Sequence, residues 1–205
     1  MPKFPEPPAP AALAAIGADV RLVPAGTELW RVYFQGGRHP TTWDQFRSFG
    51  PTSARFDPHL PPPGIQPRKV LYGAAEGPTC VAGVFQETRV IDRTVNDPAL
   101  VGFAAARGLR LLDLTATWPT RAGASMAINS GTRLRAQRWA RAIYDAFPDL
   151  DGIAYASFGN APAVALFERA EDVIPDYPFF HRRLDDPVLD TVLRNVAARV
   201  GYLLS

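Results

Sequence analysis

The fold class of this chain is indicated by short apolar runs that are separated by proline- and glycine-rich segments. The runs are rich in aromatic and branched side chains, a composition that favours β-strands. They cover residues 28–34, 69–74, 109–114, 152–156 and 163–167. We therefore predict a strand for each run.

Two helices are predicted from a proline at a first helical position, where its missing N–H costs nothing. Pro78 opens the first of them, with residues 79–87 as its body. Pro98 opens the second, which is expected to end near Gly108.

Two further helices are predicted in the second half of the chain. Ser130 is a candidate N-cap of the longest helix, residues 131–147, because a serine hydroxyl accepts a hydrogen bond from the first turn. Pro187 begins the final helix. Strands and helices follow one another without a regular βαβ alternation and without an internal repeat. This order predicts an α+β fold rather than a doubly wound sheet.

The length of 205 residues is typical of one folded domain. Residues 1–12 hold five prolines and are expected to be extended. We therefore divide the chain into a Pro-rich N-terminal tail, residues 1–20, and a single folded domain, residues 21–205. The apolar segment that follows the prolines is too short for a signal peptide, so a cytoplasmic location is expected.

Composition narrows the classes of function. Cys80 is the only cysteine, so neither an internal disulfide nor a cysteine-based zinc site can form. His39, His59 and His181 do not have the spacing of metal ligands, and no metal is expected. The net charge of +2 is too small for a nucleic-acid-binding footprint. Every apolar run is shorter than the roughly 18 residues of a membrane-spanning helix, so no membrane partner is expected.

Polar residues near the ends of the strands are the candidates for chemistry, since the common phosphate-binding and nucleophile motifs are missing. Arg31 lies within an apolar strand, where burial of its charge is costly without a partner. It is therefore expected to pair with a carboxylate, to face solvent or to meet an anionic ligand. The other candidates are Arg55, Tyr72 and Ser157.

Six segments in sequence order carry a resemblance to a known family. They are WRVY (30–33), SARFDP (53–58), VLYGA (70–74), TCVAGVFQET (79–88), LRLLDL (109–114) and GIAYASFGN…AVALF (152–167). From about residue 24 to residue 204 the chain resembles the RES domain, which is named for an arginine, a glutamate and a serine. The resemblance implies an ADP-ribosyltransferase-like fold, with a mixed sheet as its core and flanking helices.

The resemblance also implies an activity and a partner. RES proteins are typically toxins of bacterial toxin–antitoxin pairs, and they attack NAD⁺. Some cleave its nicotinamide–ribose bond with water or phosphate, and others transfer ADP-ribose to a protein. The implied partner is an Xre-type antitoxin with a helix-turn-helix, through which any contact with nucleic acid would be made. A homo-oligomer is compatible with the sequence.

Most of the site residues implied by the resemblance are present. Arg31 matches the catalytic arginine of the first strand, and the neighbouring Tyr33 is expected to contact NAD⁺. Arg55 and Tyr72 match binding residues, although Ser53 and Ala54 replace the two glycines that precede the arginine in the family.

The family serine has two candidates. Ser157, which follows a strand, is the first choice for the catalytic position. Ser130, which precedes the longest helix, is assigned to binding. The hydroxyl of such a serine can fix an amide or a ribose hydroxyl.

The family glutamate is missing. Gly83 stands at its position, where a glycine within a helix costs about 1 kcal/mol relative to alanine. Glu87 lies four residues further along the predicted helix and is a doubtful substitute. Gly83 is consistent with an inactive member of the family, a shifted register or a substitution that allowed a toxic protein to be produced; we favour the last.

The missing carboxylate affects the expected chemistry. Loss of nicotinamide leaves positive charge on the ribose, which a carboxylate stabilises, whereas arginines bind the diphosphate. We therefore expect an NAD⁺ glycohydrolase or phosphorylase of weakened activity. Alternatives are a mono-ADP-ribosyltransferase and a catalytically dead module that binds NAD⁺ or the antitoxin. A row of arginines on the longest helix is interpreted as a solvated face in preference to a docking surface for an acidic partner: Arg133, Arg135, Arg138 and Arg141.

Overall fold

The computed structural model describes residues 4–205. Its helices are α1 (Pro10–Ile16), α2 (Gly77–Val84), α3 (Trp118–Arg121), α4 (Ala127–Ser130), α5 (Arg133–Ala146) and α6 (Asp190–Val200). Short 3₁₀ helices cover Phe158–Asn160, Glu168–Val173 and Pro187–Leu189. Over the described residues, no helix combines the length and the apolar character that crossing a bilayer requires.

The strands form one large sheet and one small one. They are β1 (Val20–Val23), β2 (Glu28–Phe34), β3 (Arg47–Gly50), β4 (Gly64–Ala74), β5 (Val90–Ile91), β6 (Pro98–Ala104), β7 (Leu109–Asp113), β8 (Gly152–Ala156), β9 (Pro162–Phe167), β10 (Phe180–Arg183) and β11 (Leu203–Leu204). The large sheet has the order β1-β7-β8-β9-β4-β2-β6-β10, with β3 paired to β4, and β11 pairs with β5 separately.

The large sheet is mixed. Strands β7 and β8 are parallel, and the other neighbours along its path are antiparallel. Helices flank this sheet, which confirms the predicted α+β class. Each predicted strand is present, and β2 begins and ends at the predicted residues. Local composition and pairing favour the same structure in these runs.

The prediction of a helix that starts at Pro98 is wrong, because Pro98–Ala104 form strand β6. Strand β6 lies between β2 and β10 and pairs with both. Its first six residues are buried, so backbone pairing on both sides outweighs the local helix signal. A proline is compatible with the first position of a strand.

Two predicted helix boundaries also differ in the structure. Helix α2 ends at Val84, and the chain then turns towards β5, so Glu87 lies in a turn rather than on the helix. Ser130 does not cap the longest helix, because it is the last residue of α4 and Thr132 precedes α5. The extended backbone of Gly131 separates the two helices.

The helices on one face of the sheet form two groups. Helices α1, α3 and α5 surround Trp118 and Trp139 and pack against strand residues that include Leu112 and Ile153. Helices α2 and α6 pack against Leu100 of β6 instead. A gap between the two groups lies above strands β4 and β8.

The N-terminal segment was expected to be an extended tail, but it contains helix α1. Leu13 of this helix is fully buried in the core around α5. Before it, the carbonyl of Pro5 accepts a hydrogen bond from the Trp139 indole nitrogen at 2.9 Å, and the carbonyl of Phe4 accepts one from Arg135. Residues 1–3, also part of the predicted tail, lie outside the described residues.

We predict that Leu13→Ala lowers the free energy of unfolding by about 2–5 kcal/mol, because it leaves a cavity in the core. Leu22→Ala is the matched control, since Leu22 is 70% exposed and its loss should change stability by about 0.5 kcal/mol or less. Urea denaturation of both variants measures the difference. Equal stability of the two variants would contradict the docking of α1.

Candidate functional site

A cavity of about 590 Å³ lies between the two helix groups. Its volume is within the range of roughly 300–1,000 Å³ that is usual for small-molecule sites. The structure brings six of the eight residues predicted from the sequence to its wall: Arg55, Tyr72, Gly83, Glu87, Ser130 and Ser157.

The side chain of Asn129 joins the parts of the chain that carry the two serines. Its amide nitrogen donates to the carbonyl of Leu114, the residue after β7, at 2.8 Å. Its carbonyl oxygen accepts from the backbone N–H of Ala156, at the end of β8, at 3.3 Å. Asn129 therefore holds Ser130 and Ser157 at the same cavity.

Arg55 enters the cavity from the loop that follows β3. Its Nη1 donates to the carbonyl of Gly131 at 2.5 Å. Burial and the nearby charge of Arg133 both lower the pKa of Arg55 below its usual 12.5. Two guanidinium groups held this close together favour the binding of an anionic ligand.

The buried carboxylate of Asp57 fixes the loop that carries Arg55. It accepts from Arg47 at 2.9 Å, and from the backbone and hydroxyl of Thr52 at 2.8 and 2.9 Å. Its other oxygen lies 2.5 Å from Nδ1 of His59. Burial raises the pKa of Asp57, but the hydrogen bond from His59 and the charge of Arg47 outweigh it and hold the pKa well below its usual range.

Helix α5 fixes the same loop from the other side. The Gln137 side chain is buried, and its amide nitrogen donates to the carbonyls of Thr52 and Ala54 at 2.6 and 2.9 Å. The cavity wall formed by residues 52–55 is therefore held by two separate networks.

Tyr72 and Cys80 are uncharged parts of the wall. The Tyr72 hydroxyl is buried and has no hydrogen-bond partner within residues 4–205. Burial and the charge of Asp57 raise its pKa well above 10. Burial also raises the pKa of Cys80 to about 12, and its Sγ donates to the carbonyl of Trp30 at 2.8 Å. Cys80 is therefore held as a thiol and is unsuited to act as a nucleophile.

Gly83 faces the cavity from helix α2. A Cβ atom at this residue would lie 3.7 Å from Oγ of Ser157, which is ordinary van der Waals contact. A side chain therefore fits at residue 83 and would point towards Ser157. The Ser157 hydroxyl forms no hydrogen bond within the part of the chain that the structure describes.

Glu87 reaches the cavity rim from the turn after α2. It is the single carboxylate among the described residues that line the cavity. One of its oxygens, Oε2, accepts from Nη1 of Arg133 at 2.7 Å. Glu87 is thus tied to the start of α5 and not to the centre of the cavity.

Arg31 and Tyr33 are not among the lining residues. They alternate along β2 with Val32, which does line the cavity, and so they lie on the opposite face of the sheet. Arg31 is buried and donates to the carbonyls of Trp43 and Gln45 at 2.7 and 3.0 Å.

Burial lowers the pKa of Arg31 to about 10. The Tyr33 hydroxyl lies 2.6 Å from Nε2 of His181. The roles predicted for Arg31 and Tyr33 in the reaction stay predictions.

Sequence reasoning did not assign Asn129, Arg133 or Tyr155 to the site, although all three line the cavity. Tyr155 precedes Ser157 by two residues, and the alternation of side chains along a strand is a signal that places both on one face. Arg133 was interpreted as part of a solvated helix face. Nothing in the sequence marks Asn129 apart from its position beside Ser130.

The fold and the cavity define the class of this protein. It is an α+β domain with a cavity of small-molecule size, whose wall carries arginines, tyrosines and serines. Residues 28–185 match the model of the RES domain, and the chain belongs to this family.

Comparison with solved structures gives a similar fold. The structure is similar to a chain in the crystal structure of the M. tuberculosis MbcT–MbcA toxin–antitoxin complex, with a TM-score of 0.58 and 15% sequence identity. The match covers 91% of this chain and 97% of the other. Comparison with curated proteins gave no match.

We predict that Asp57→Asn lowers the free energy of unfolding at pH 7 by about 3–5 kcal/mol, because Arg47 loses a buried partner. The folded-state pKa is lowered, so this stability is present above the unfolded pKa of about 4 and decreases as the pH falls towards the folded pKa. The difference between wild type and variant should therefore shrink by about 1 kcal/mol between pH 7 and pH 3.

Urea denaturation at the two pH values measures this change. Asp145→Asn is the control, because Asp145 forms an exposed ion pair with Arg68 and its loss should cost about 1 kcal/mol or less. A difference for Asp57→Asn that is the same at both pH values would show that the charge of Asp57 is not what stabilises the loop.

Proposed function

We propose that this chain is the toxin of a toxin–antitoxin pair, and that its cavity binds NAD⁺ for cleavage of the nicotinamide–ribose bond. Membership of the RES family supports the proposal, as does the fold it shares with a chain from a toxin–antitoxin complex. The observation that carries the proposal is the meeting of Arg55, Tyr72, Gly83, Ser130 and Ser157 at one cavity.

Each part of the cavity suits one part of the dinucleotide. Arg55 neutralises the diphosphate through hydrogen bonds from its guanidinium. The rings of Tyr72 and Tyr155 offer flat faces for nicotinamide or a ribose. The hydroxyls of Ser157 and Ser130 fix the amide or a ribose hydroxyl.

Cleavage needs negative charge beside the ribose. Departure of neutral nicotinamide leaves an oxocarbenium-like ribose, which a carboxylate at residue 83 would stabilise. Gly83 supplies none, and loss of one preorganised group typically costs roughly 10²–10³ in rate. The chain as it stands therefore binds NAD⁺ and turns it over slowly.

Membership of the RES family also supports a proposal for the partner protein and for the cellular location. We propose an Xre-type helix-turn-helix antitoxin as partner, with any contact to nucleic acid made through it, and a cytoplasmic location. The second candidate function is a module that binds NAD⁺ or the antitoxin without catalysis. Gly83 favours this candidate, because the acidic side chain of the family is missing at this residue while the cavity stays open.

We predict that Gly83→Glu raises the rate of nicotinamide release from NAD⁺ by roughly 100-fold, because it restores a carboxylate facing Ser157. Gly83→Gln is the matched control, since it has nearly the same shape and no charge. Nicotinamide release by the three chains, without antitoxin, is the measurement. Calorimetric titration with NAD⁺ should give binding for the chain as it stands.

Three results would change the assignment. Equal activity of the unaltered chain and Gly83→Glu would assign the chemistry to Glu87 or another carboxylate. Equal gains for Gly83→Glu and Gly83→Gln would show that charge is not required. Binding of NAD⁺ without nicotinamide release by any chain would favour the binding module.

A further inference from the structure

Two arginines and one carboxylate set the charge of the cavity. Arg55 and Arg133 are its lining cations, and Glu87 is the carboxylate among the described lining residues. The two arginines are close enough for the charge of Arg133 to lower the pKa of Arg55, in addition to the effect of burial. The free site therefore holds two positive charges and one negative charge, and its excess positive charge favours an anion.

Both guanidiniums keep donors available for a ligand. A guanidinium has five N–H donors. Within residues 4–205, Arg55 uses one nitrogen, on the carbonyl of Gly131, and Arg133 uses one, on Glu87. The remaining donors of both side chains are free to bind phosphate oxygens.

The ion pair between Glu87 and Arg133 is one in which a bound anion can take the place of Glu87. The Glu87 side chain is 69% exposed and lies in a turn, and the Arg133 side chain is 34% exposed. Exposed pairs of this kind are weak, because water competes with them and two long side chains must be ordered. A diphosphate carries more charge than Glu87 and offers several oxygens to a guanidinium.

Arg133 differs from the other arginines of α5. Arg135 and Arg138 pair with Glu6 of the N-terminal segment. Arg141 donates to the carbonyl of His59 at 2.7 Å. These three hold other parts of the chain against the helix, whereas Arg133 lines the cavity.

We infer that Arg133 and Arg55 together bind the diphosphate of the dinucleotide, and that Glu87 is an internal competitor that leaves Arg133 when the ligand binds. The inference rests on the proposed function and adds a residue that sequence reasoning had placed on a solvated face. It also gives Glu87 a role in binding rather than in bond cleavage.

Calorimetric titration tests the inference with three probes: NAD⁺, ADP and adenosine. ADP carries the diphosphate without nicotinamide, and adenosine carries no phosphate. The variants are Arg133→Ala, Glu87→Gln and the double variant. Arg138→Ala is the matched control, because it removes the same charge from the same helix away from the cavity. Arg133→Lys provides a second variant that keeps the charge if Arg133→Ala does not fold.

Arg133→Ala should weaken binding of NAD⁺ and ADP by roughly tenfold and leave adenosine unchanged. Arg133→Lys should fall between wild type and Arg133→Ala, since lysine lacks the two-pronged donor geometry. Glu87→Gln should tighten binding of ADP by about threefold, because the competitor has lost its charge. In the Arg133→Ala background, Glu87→Gln should have no effect.

The inference and the proposed function fail in different ways. Normal binding of NAD⁺ by Arg133→Ala, or equal losses for Arg133→Ala and Arg138→Ala, would overturn the inference and leave the function standing. Binding of ADP that depends on Arg133, without any binding of NAD⁺, would overturn the function and leave the diphosphate site. Absence of binding for both ligands would overturn the two together.

Discussion

The candidate site depends on one buried charge, the carboxylate of Asp57. Burying a charge away from water is costly unless the charge is paired and hydrogen-bonded. Arg47, Thr52 and His59 together provide the partners of the Asp57 carboxylate. The same contacts fix the loop after β3, which has little regular structure of its own. Arg55 is placed at the cavity because the loop that carries it is fixed at Asp57 and, from helix α5, by Gln137.

An element of the fold could be predicted from the sequence when its own composition favours its structure, and not when distant segments determine that structure. Strand β2 could be predicted because its own composition favours the structure that its neighbours impose. Strand β6 could not, because its state is set by pairing with β2 and β10, which are distant in sequence. The N-terminal segment docks partly through the carbonyls of Phe4 and Pro5, and backbone carbonyls leave no pattern in a sequence.

The site was predictable where a motif follows a strand, and less so elsewhere. Tyr72 and Ser157 lie at the cavity because strands β4 and β8 both lead to it. A strand has two faces, and its sequence alone does not say which of them meets a cavity. In the structure, Val32 lies on the face of β2 that meets the cavity, and Arg31 lies on the opposite face. Arg133 was missed because a helix arginine is solvated in most proteins.

Under the proposed function, binding and bond cleavage rest on different elements of this fold. The groups suited to hold a dinucleotide come from the loop after β3, from β4 and β8 and from the segment between α4 and α5. Gly83, which matches the family glutamate by resemblance, lies on α2, where a Cβ atom would be 3.7 Å from Oγ of Ser157. Gly83 is an ordinary helical residue where a Cβ would make only van der Waals contact with Ser157, so the absence of an acidic side chain there does not alter the rest of the wall. Under the proposed function, such a chain keeps the cavity of its family and the recognition that goes with it, while its chemistry is weakened.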